Sequence, residues 1–197
     1  VINPVKCTKC KACLRLGCPA IYIRNGDVII VKMTEVHGMA QLGGSVTTQI
    51  RFGDKVYSPL METGTAHVLL AFEKLEAARF LHYLSEEGTL IVNDAEIPPV
   101  TTLMGQETYP QDLMQKLVRQ VKSMVPVDAA DIAQKCGNVR TQNMVLVGVL
   151  AKVLNLEERY FMEAIEETVP EKYVKVNMES FRKGYKLSYR KVHINLL

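Results

Sequence analysis

Hydrophobic and polar positions along this chain fall into two regimes. Residues 20–23 and 28–31 are short apolar runs around the turn signal Asn25-Gly26-Asp27, which predicts a small β-hairpin. From Met33 onward strand-like and helix-like stretches alternate. The pattern predicts strands over residues 46–52, 56–58, 67–72, 89–92 and 125–128. The third and fourth are nearly continuous apolar runs, as in strands covered on both faces. Helices are predicted over 73–84, where leucines and aromatics recur at helical spacing and stop near Gly88, and over 111–124, 129–136, 141–154, 157–168 and 175–185. This alternation predicts an α/β fold, a mostly parallel open sheet with helices on both faces, preceded by a small N-terminal segment.

Composition changes that picture little. With 197 residues, 48% of them hydrophobic, the chain can bury one good core and carry a small appendage. No apolar stretch approaches the length of a membrane span and no hydrophobic leader is visible, so a soluble, cytoplasmic protein with no membrane partner is expected. Charge is more informative, because the net +3 is unevenly spread. Residues 1–32 carry Lys6, Lys9, Lys11, Arg15, Arg24 and Lys32 against Asp27 alone, while the remainder holds 18 basic and 20 acidic side chains. A basic segment suits an anionic partner. Tyr22 is its only aromatic, which argues against nucleic acid, where stacking residues are expected. The basic residues Arg182, Lys183, Lys186, Arg190 and Lys191 read as a solvated or partner-facing tail.

The chemistry is concentrated at the start. Four of the five cysteines form the run Cys7-x2-Cys10-x2-Cys13-x4-Cys18-Pro19. A disulfide framework suits short secreted chains rather than a reduced intracellular one. Four-cysteine zinc sites use Cys-x2-Cys pairs too, but zinc ribbons part the two pairs with a long spacer, so the crowded spacing favours an iron–sulfur cubane over zinc. The basic surroundings offset the charge of such a thiolate-bound centre and would attract an acidic electron carrier. Bacterial ferredoxins place three residues, not four, before the last cysteine, which there ligates a second cluster. Cys18 therefore either closes the same cluster or is the remnant of a second one. With the hairpin, this is half a ferredoxin module and too small to fold without its metal. Cys136 stands alone and reads as a small buried residue.

A run of motifs carries a family resemblance. His37-Gly38-Met39-Ala40-Gln41-Leu42-Gly43-Gly44-Ser45-Val46, Arg51-Phe52-Gly53, Tyr57-Ser58-Pro59-Leu60, Phe72-Glu73-Lys74-Leu75-Glu76-Ala77 and Asn93 are followed by Ile97-Pro98-Pro99-Val100, Tyr109-Pro110 and Gly137-Asn138-Val139-Arg140. Together they resemble the gamma-type domain of the 2-oxoacid:ferredoxin oxidoreductases, closest to the indolepyruvate (arylpyruvate) branch. The likeness covers most of residues 33–197, and residues 1–32 resemble the cluster-binding part of the same enzymes. Two expected domains follow, a ferredoxin-like [4Fe–4S] segment at 1–32 and a gamma-type domain at 33–197. Both depart from the family at the same place. A second cysteine quartet would follow Lys32, and a first strand with a Gly-x-Gly-Gly-x-Gly turn would precede Met33. Neither is present.

The resemblance implies oxidative decarboxylation of a 2-oxoacid to an acyl-CoA, using thiamin diphosphate and coenzyme A, with electrons passing through [4Fe–4S] to ferredoxin. The thiamin signature, Gly-Asp-Gly with a downstream Asn, is missing. A thiamin-binding subunit is therefore an expected partner, beside ferredoxin and the 2-oxoacid substrate. Pyruvate, a branched-chain oxoacid or 2-oxoglutarate stays open as substrate. So do a non-catalytic electron-transfer or assembly module and a zinc-binding interaction domain. Cys7, Cys10, Cys13 and Cys18 are the candidate metal ligands. His37 and Gln41 are candidates for an active-site wall, where the small residues Gly38, Gly43 and Gly44, with Ser45, let backbone approach a cofactor. Glu73 and Asn93 end strands where open sheets place their ligands and are further candidates for cofactor binding, although Glu73 also suits a helix cap. Arg51 reads as a surface residue, Ser58-Pro59 and Pro98-Pro99 as turns, and Met61, Met104, Met114, Met124 and Met144 as core filler. His67, His82 and His193 lack a ligand-spaced neighbour.

Overall fold

The computed structural model describes residues 21–24, 27–37 and 45–187. The chain separates into two compact units, Val1–Glu62 and Thr63–Leu197.

The first unit is an antiparallel ladder of β1 (Ile21–Arg24), β2 (Asp27–His37) and β3 (Val46–Gly53), in that order. The expected hairpin forms, with Arg24 opposite Asp27. β2 then continues well past residue 31, and Lys32 and Met33 are consecutive residues of this one strand, paired with Arg51 and Ile50. β3 joins this ladder rather than the parallel sheet. No strand forms over residues 56–58. Pro59 has no amide hydrogen for a ladder, and side chains hold the segment instead. Lys32 Nζ donates to the Tyr57 carbonyl (2.8 Å), Arg51 to the Leu60 carbonyl (3.0 Å), and the Met61 amide to Gln49 Oε1 (2.7 Å).

The second unit carries the parallel sheet, β4 (Ala66–Ala71), β5 (Leu84–Asn93) and β6 (Ser123–Val127), with β5 in the middle. Alternate residues of these strands face opposite ways, and both faces are covered. On one, Ile91, Val125 and Val127 pack with Ala129 and Ala133 of α4 (Ala129–Lys135) and Val145, Leu146 and Val149 of α5 (Gln142–Val153). On the other, Leu90, Val92 and Met124 pack with Ala77 of α1 (Lys74–Phe80) and Leu117 of α3 (Leu113–Gln120). A one-turn helix, α2 (Val100–Leu103), lies in the long connection after β5. α6 (Glu158–Thr168) and α7 (Glu171–Tyr185) complete a further cluster with α5 around the fully buried Phe181, which stacks on Phe161 and Tyr185.

Several boundaries differ from the pattern, each for a tertiary reason. The helix expected to reach residue 84 ends at Phe80, and a 3-10 turn Leu81–Tyr83 leads straight into β5. Leu81 and Leu84 keep helical spacing, and both reach the same core, but Leu84 pairs with Ala66. The helix expected over 111–124 stops at Gln120, because Met124 belongs to β6 opposite Leu90. α7 begins a turn earlier than expected, directly after Pro170, whose fixed φ starts a helix well. Met104 is exposed rather than core filler, and Cys136 is only half-buried at the end of α4.

α5 and α7 touch through glycines. A Cβ on Gly148 would fall on the carbonyl oxygen of Phe181, and one on Gly184 on that of Val145. Backbone cannot yield as a side-chain tip can, so Gly148→Ala and Gly184→Ala should each lower stability by about 2–3 kcal/mol. Urea unfolding followed by circular dichroism checks this. A midpoint unchanged in both variants would show that the helices are not in backbone contact.

Candidate functional site

The carboxyl ends of the parallel strands meet along one edge of the second unit, where open α/β sheets gather their ligand contacts. β4 runs into Phe72-Glu73, β5 ends at Asn93 before Asp94-Ala95-Glu96, and β6 is followed by Asp128. Asn93 is 3% exposed and ties three elements together. Its Nδ2 donates to the Phe72 carbonyl (3.1 Å), and its Oδ1 accepts from the Ala129 amide at the start of α4 (3.1 Å). Asp128 caps α4 by accepting from the Asp131 amide (2.9 Å).

Glu73, 5% exposed, caps α1 as its place before the helix suggests, accepting from the Glu76 amide (2.9 Å). It also accepts from the Ile97 amide (3.4 Å) and from the Tyr109 hydroxyl. One buried carboxylate thus joins the helix start to both ends of the connection that leaves β5. Burial first, then the hydrogen bond and charge of Glu73, raises the Tyr109 phenol well above its usual value near 10. Next to it Lys74 Nζ bridges Asp94 (2.9 Å) and Glu96 (2.8 Å) with only 12% of its side chain exposed, and those hydrogen bonds, Glu96's first, raise its pKa. An open groove of about 600 Å³ runs alongside, lined by Leu75, Arg79, Pro99, Thr102 and Gly105 among others, and its Arg79 is paired with Glu76 (2.6 Å).

The sequence-predicted candidates do not all fall within this edge. Cys7, Cys10, Cys13 and Cys18 lie outside the described residues, as do Gly38, Gln41, Gly43 and Gly44. His37 is the last residue of β2 and pairs with Val46. Ser45 immediately precedes β3. Glu73 and Asn93 are brought together, both engaged with the protein's own backbone. Arg51 is occupied by the 58–60 carbonyls. Among the described residues, no group of three or more His, Cys, Asp or Glu side chains could hold a metal, and no helix is long and apolar enough to cross a membrane. Spacing does not reveal the Lys74 bridge or the Tyr109–Glu73 bond, whose partners stand 20 to 36 residues apart.

Fold and strand-end geometry define an open α/β domain of doubly covered parallel type, joined to a β-ladder. Comparison with known proteins narrows this. Residues 22–187 match the pyruvate ferredoxin/flavodoxin oxidoreductase family, and the chain belongs to that family. It is 40% identical over 161 residues to the indolepyruvate oxidoreductase subunit IorB of Thermococcus kodakarensis, covering 79% of this chain and 80% of that one. The IorB subunit of Pyrococcus horikoshii is also 40% identical, over 163 residues and the same shares. Among solved structures, the pyruvate oxidoreductase subunit PORC of Thermotoga maritima superposes with a TM-score of 0.56 at 19% identity, over 89% of this chain and 83% of that one. The keto/oxoacid ferredoxin oxidoreductase gamma subunit of Geobacter sulfurreducens gives 0.54 at 18%, over 80% and 79%. The chain is thus a component of the 2-oxoacid oxidoreductase class.

Tyr109 gives the edge a measurable signature. Its raised pKa means that its contribution to stability is complete below the unfolded tyrosine value near pH 10 and is lost as pH rises above it. Tyr109→Phe should cost about 1–2 kcal/mol at neutral pH. In a phenolate absorbance titration the variant should keep the same number of tyrosines ionising near pH 10 as the parent. A variant that loses one normally titrating tyrosine would refute the buried Tyr109–Glu73 bond.

Proposed function

We propose that this chain is the electron-carrying component of a 2-oxoacid:ferredoxin oxidoreductase acting on arylpyruvates, indolepyruvate above all, with acyl-CoA as product. The observation that carries the substrate class is the 40% identity to proteins named indolepyruvate oxidoreductase subunits, over four-fifths of each chain. The donor set at the start of the chain fits a [4Fe–4S] centre. Four thiols recur at short spacing, and residues 1–20 contain no His, Asp or Glu to compete. Bound there, a cluster supplies a one-electron relay. Cys7, Cys10, Cys13 and Cys18 hold it, and Lys6, Lys9, Lys11 and Arg15 offset its charge and steer an acidic ferredoxin.

The thiamin signature, Gly-Asp-Gly with a downstream Asn, is missing from the sequence, so in this reading a companion subunit holds thiamin diphosphate, together with the 2-oxoacid and coenzyme A. His37, Gly38, Gln41, Gly43, Gly44 and Ser45 furnish a wall of that neighbouring site. Glu73 and Asn93 shape the strand-end edge and leave few polar positions there for a cofactor. A cytoplasmic location goes with this reading.

Anaerobically purified protein should hold about four iron and four sulfide per chain. Cys10→Ser should abolish its visible absorbance. A colourless protein with bound zinc and no sulfide would overturn the relay. With the companion subunit, thiamin diphosphate and coenzyme A, indolepyruvate should drive dye reduction with at least about tenfold higher kcat/KM than pyruvate or 2-oxoglutarate. A preference for either of those would reassign the substrate, and turnover with none of them would leave an assembly module. His37→Ala and Gly43→Val should lower that turnover, and unchanged rates in both would remove the wall from the mechanism.

A further inference from the structure

Residues 98–108, in the connection that leaves β5, are fastened at both shoulders by one side chain. Glu73 Oε1 accepts from the Ile97 amide (3.4 Å) on one side and from the Tyr109 hydroxyl on the other. The near shoulder is anchored again just outside, where the Lys74 amide donates to the Ala95 carbonyl (3.2 Å) and Lys74 Nζ bridges Asp94 and Glu96. Between the shoulders, hydrogen bonds close within the segment itself. The Leu103 amide donates to the Pro99 carbonyl, Gly105 to Thr102 and Gln106 to Thr101, each at 3.0 Å. Thr101 Oγ1 donates to Glu107 Oε2 (3.1 Å). Apolar packing does not anchor the segment to the core. Among the described residues, none from 98 to 108 is buried or belongs to a core cluster, and Leu103 and Met104 at the tip are 73% and 67% exposed. Pro98-Pro99 and Pro110 stiffen the two shoulders. A piece braced internally and poorly held from outside lies at the low-stability end of a structure and moves as one body.

We propose that residues 98–108 are a hinged flap that opens as a unit, with Glu73 as its latch and the Ile97 amide and Tyr109 hydroxyl as the bonds that release. Sharing makes the step all-or-none. Both shoulders use the same oxygen of a carboxylate that is 5% exposed. Stripping one bond from a buried carboxylate is costly unless water replaces it, and water that reaches this oxygen serves both shoulders. The other oxygen keeps its bond to the Glu76 amide, so α1 stays capped while the flap moves. The flap is also a wall. Pro99, Thr102 and residues 105–108 form one side of the groove of about 600 Å³, and Leu75 and Arg79 of α1 form the other. Opening withdraws the first side, so the latch decides whether a groove exists at all. Its volume is that of a small-molecule site, and admission of such a ligand is thereby tied to the state of the flap.

Hydrogen exchange and a spin-label distance on the full chain test this. The Ile97 amide should exchange far faster than the Ile91 amide in the middle of β5, because flap opening does not require global unfolding. Tyr109→Phe should speed Ile97 exchange about five- to thirtyfold, the factor that one hydrogen bond's loss implies. Labels attached through ketone-bearing amino acids at Ala78 on α1 and Met104 at the tip, which spare the cysteines, should give a short and a long separation. The ratio of long to short should rise by the same factor in Tyr109→Phe. Thr101→Val breaks only a bond inside the flap and should leave that ratio and the Ile97 rate unchanged. An Ile97 amide as slow as Ile91 in the unaltered chain would overturn the proposal. So would a single, unchanged separation in both the parent and Tyr109→Phe. An equal response to Thr101→Val would also overturn it, by showing that the segment frays rather than swings.

Discussion

The middle strand of the parallel sheet is the constraint on which the α/β unit depends. Leu90, Ile91 and Val92 have no exposed surface and look alternately to the two sides of β5. Each side therefore needs its own helical layer, and the chain supplies α4 and α5 to one, α1 and α3 to the other. A parallel pair cannot be joined by a tight turn, so every crossover carries a helix, and these helices cover the sheet. The strand's carboxyl end continues the same logic with polar groups. A buried asparagine there must satisfy its amide, and Asn93 does so by fastening β4 and α4 to β5.

Once the strand ends are pinned, the connection after β5 has fixed points to close upon. Glu73 accepts from the Ile97 amide near the start of that connection and from Tyr109 near its end, so one carboxylate staples both. Lys74 adds a second fastening between Asp94 and Glu96. The edge that faces ligands in many open α/β sheets is here held by internal bonds. The cysteine run and the 37–45 segment, which carry the proposed redox and wall roles, precede this unit in the sequence. The relatives at 40% identity are named as subunits.

Much of the scaffold was legible because it rests on local signals. The apolar runs at 67–72 and 89–92 marked doubly covered strands, and α5 and α6 lie within a residue of their predicted limits. Glu73 could be read as a cap from its position alone. Where local and long-range demands competed, the long-range demand prevailed. Leu84 keeps helical spacing with Leu81, yet it leaves the helix to pair with Ala66, and Met124 leaves its helix for β6. Residues 31–34 alternate apolar and polar, but Met33 is exposed, and it is the polar neighbours Lys32 and Thr34 that are partly buried.

What the amino-acid order determined by itself was the class of fold, since burial on two faces leaves its mark in the apolar runs within a few residues. Tertiary structure alone decided that Tyr109 would lie on Glu73, that Lys74 would bridge two carboxylates, and that Gly148 and Gly184 would let α5 and α7 meet backbone to backbone. The partners in those contacts are about 20 to 40 residues apart. Their meeting follows from the path of the chain around the sheet, and no local pattern contains that path.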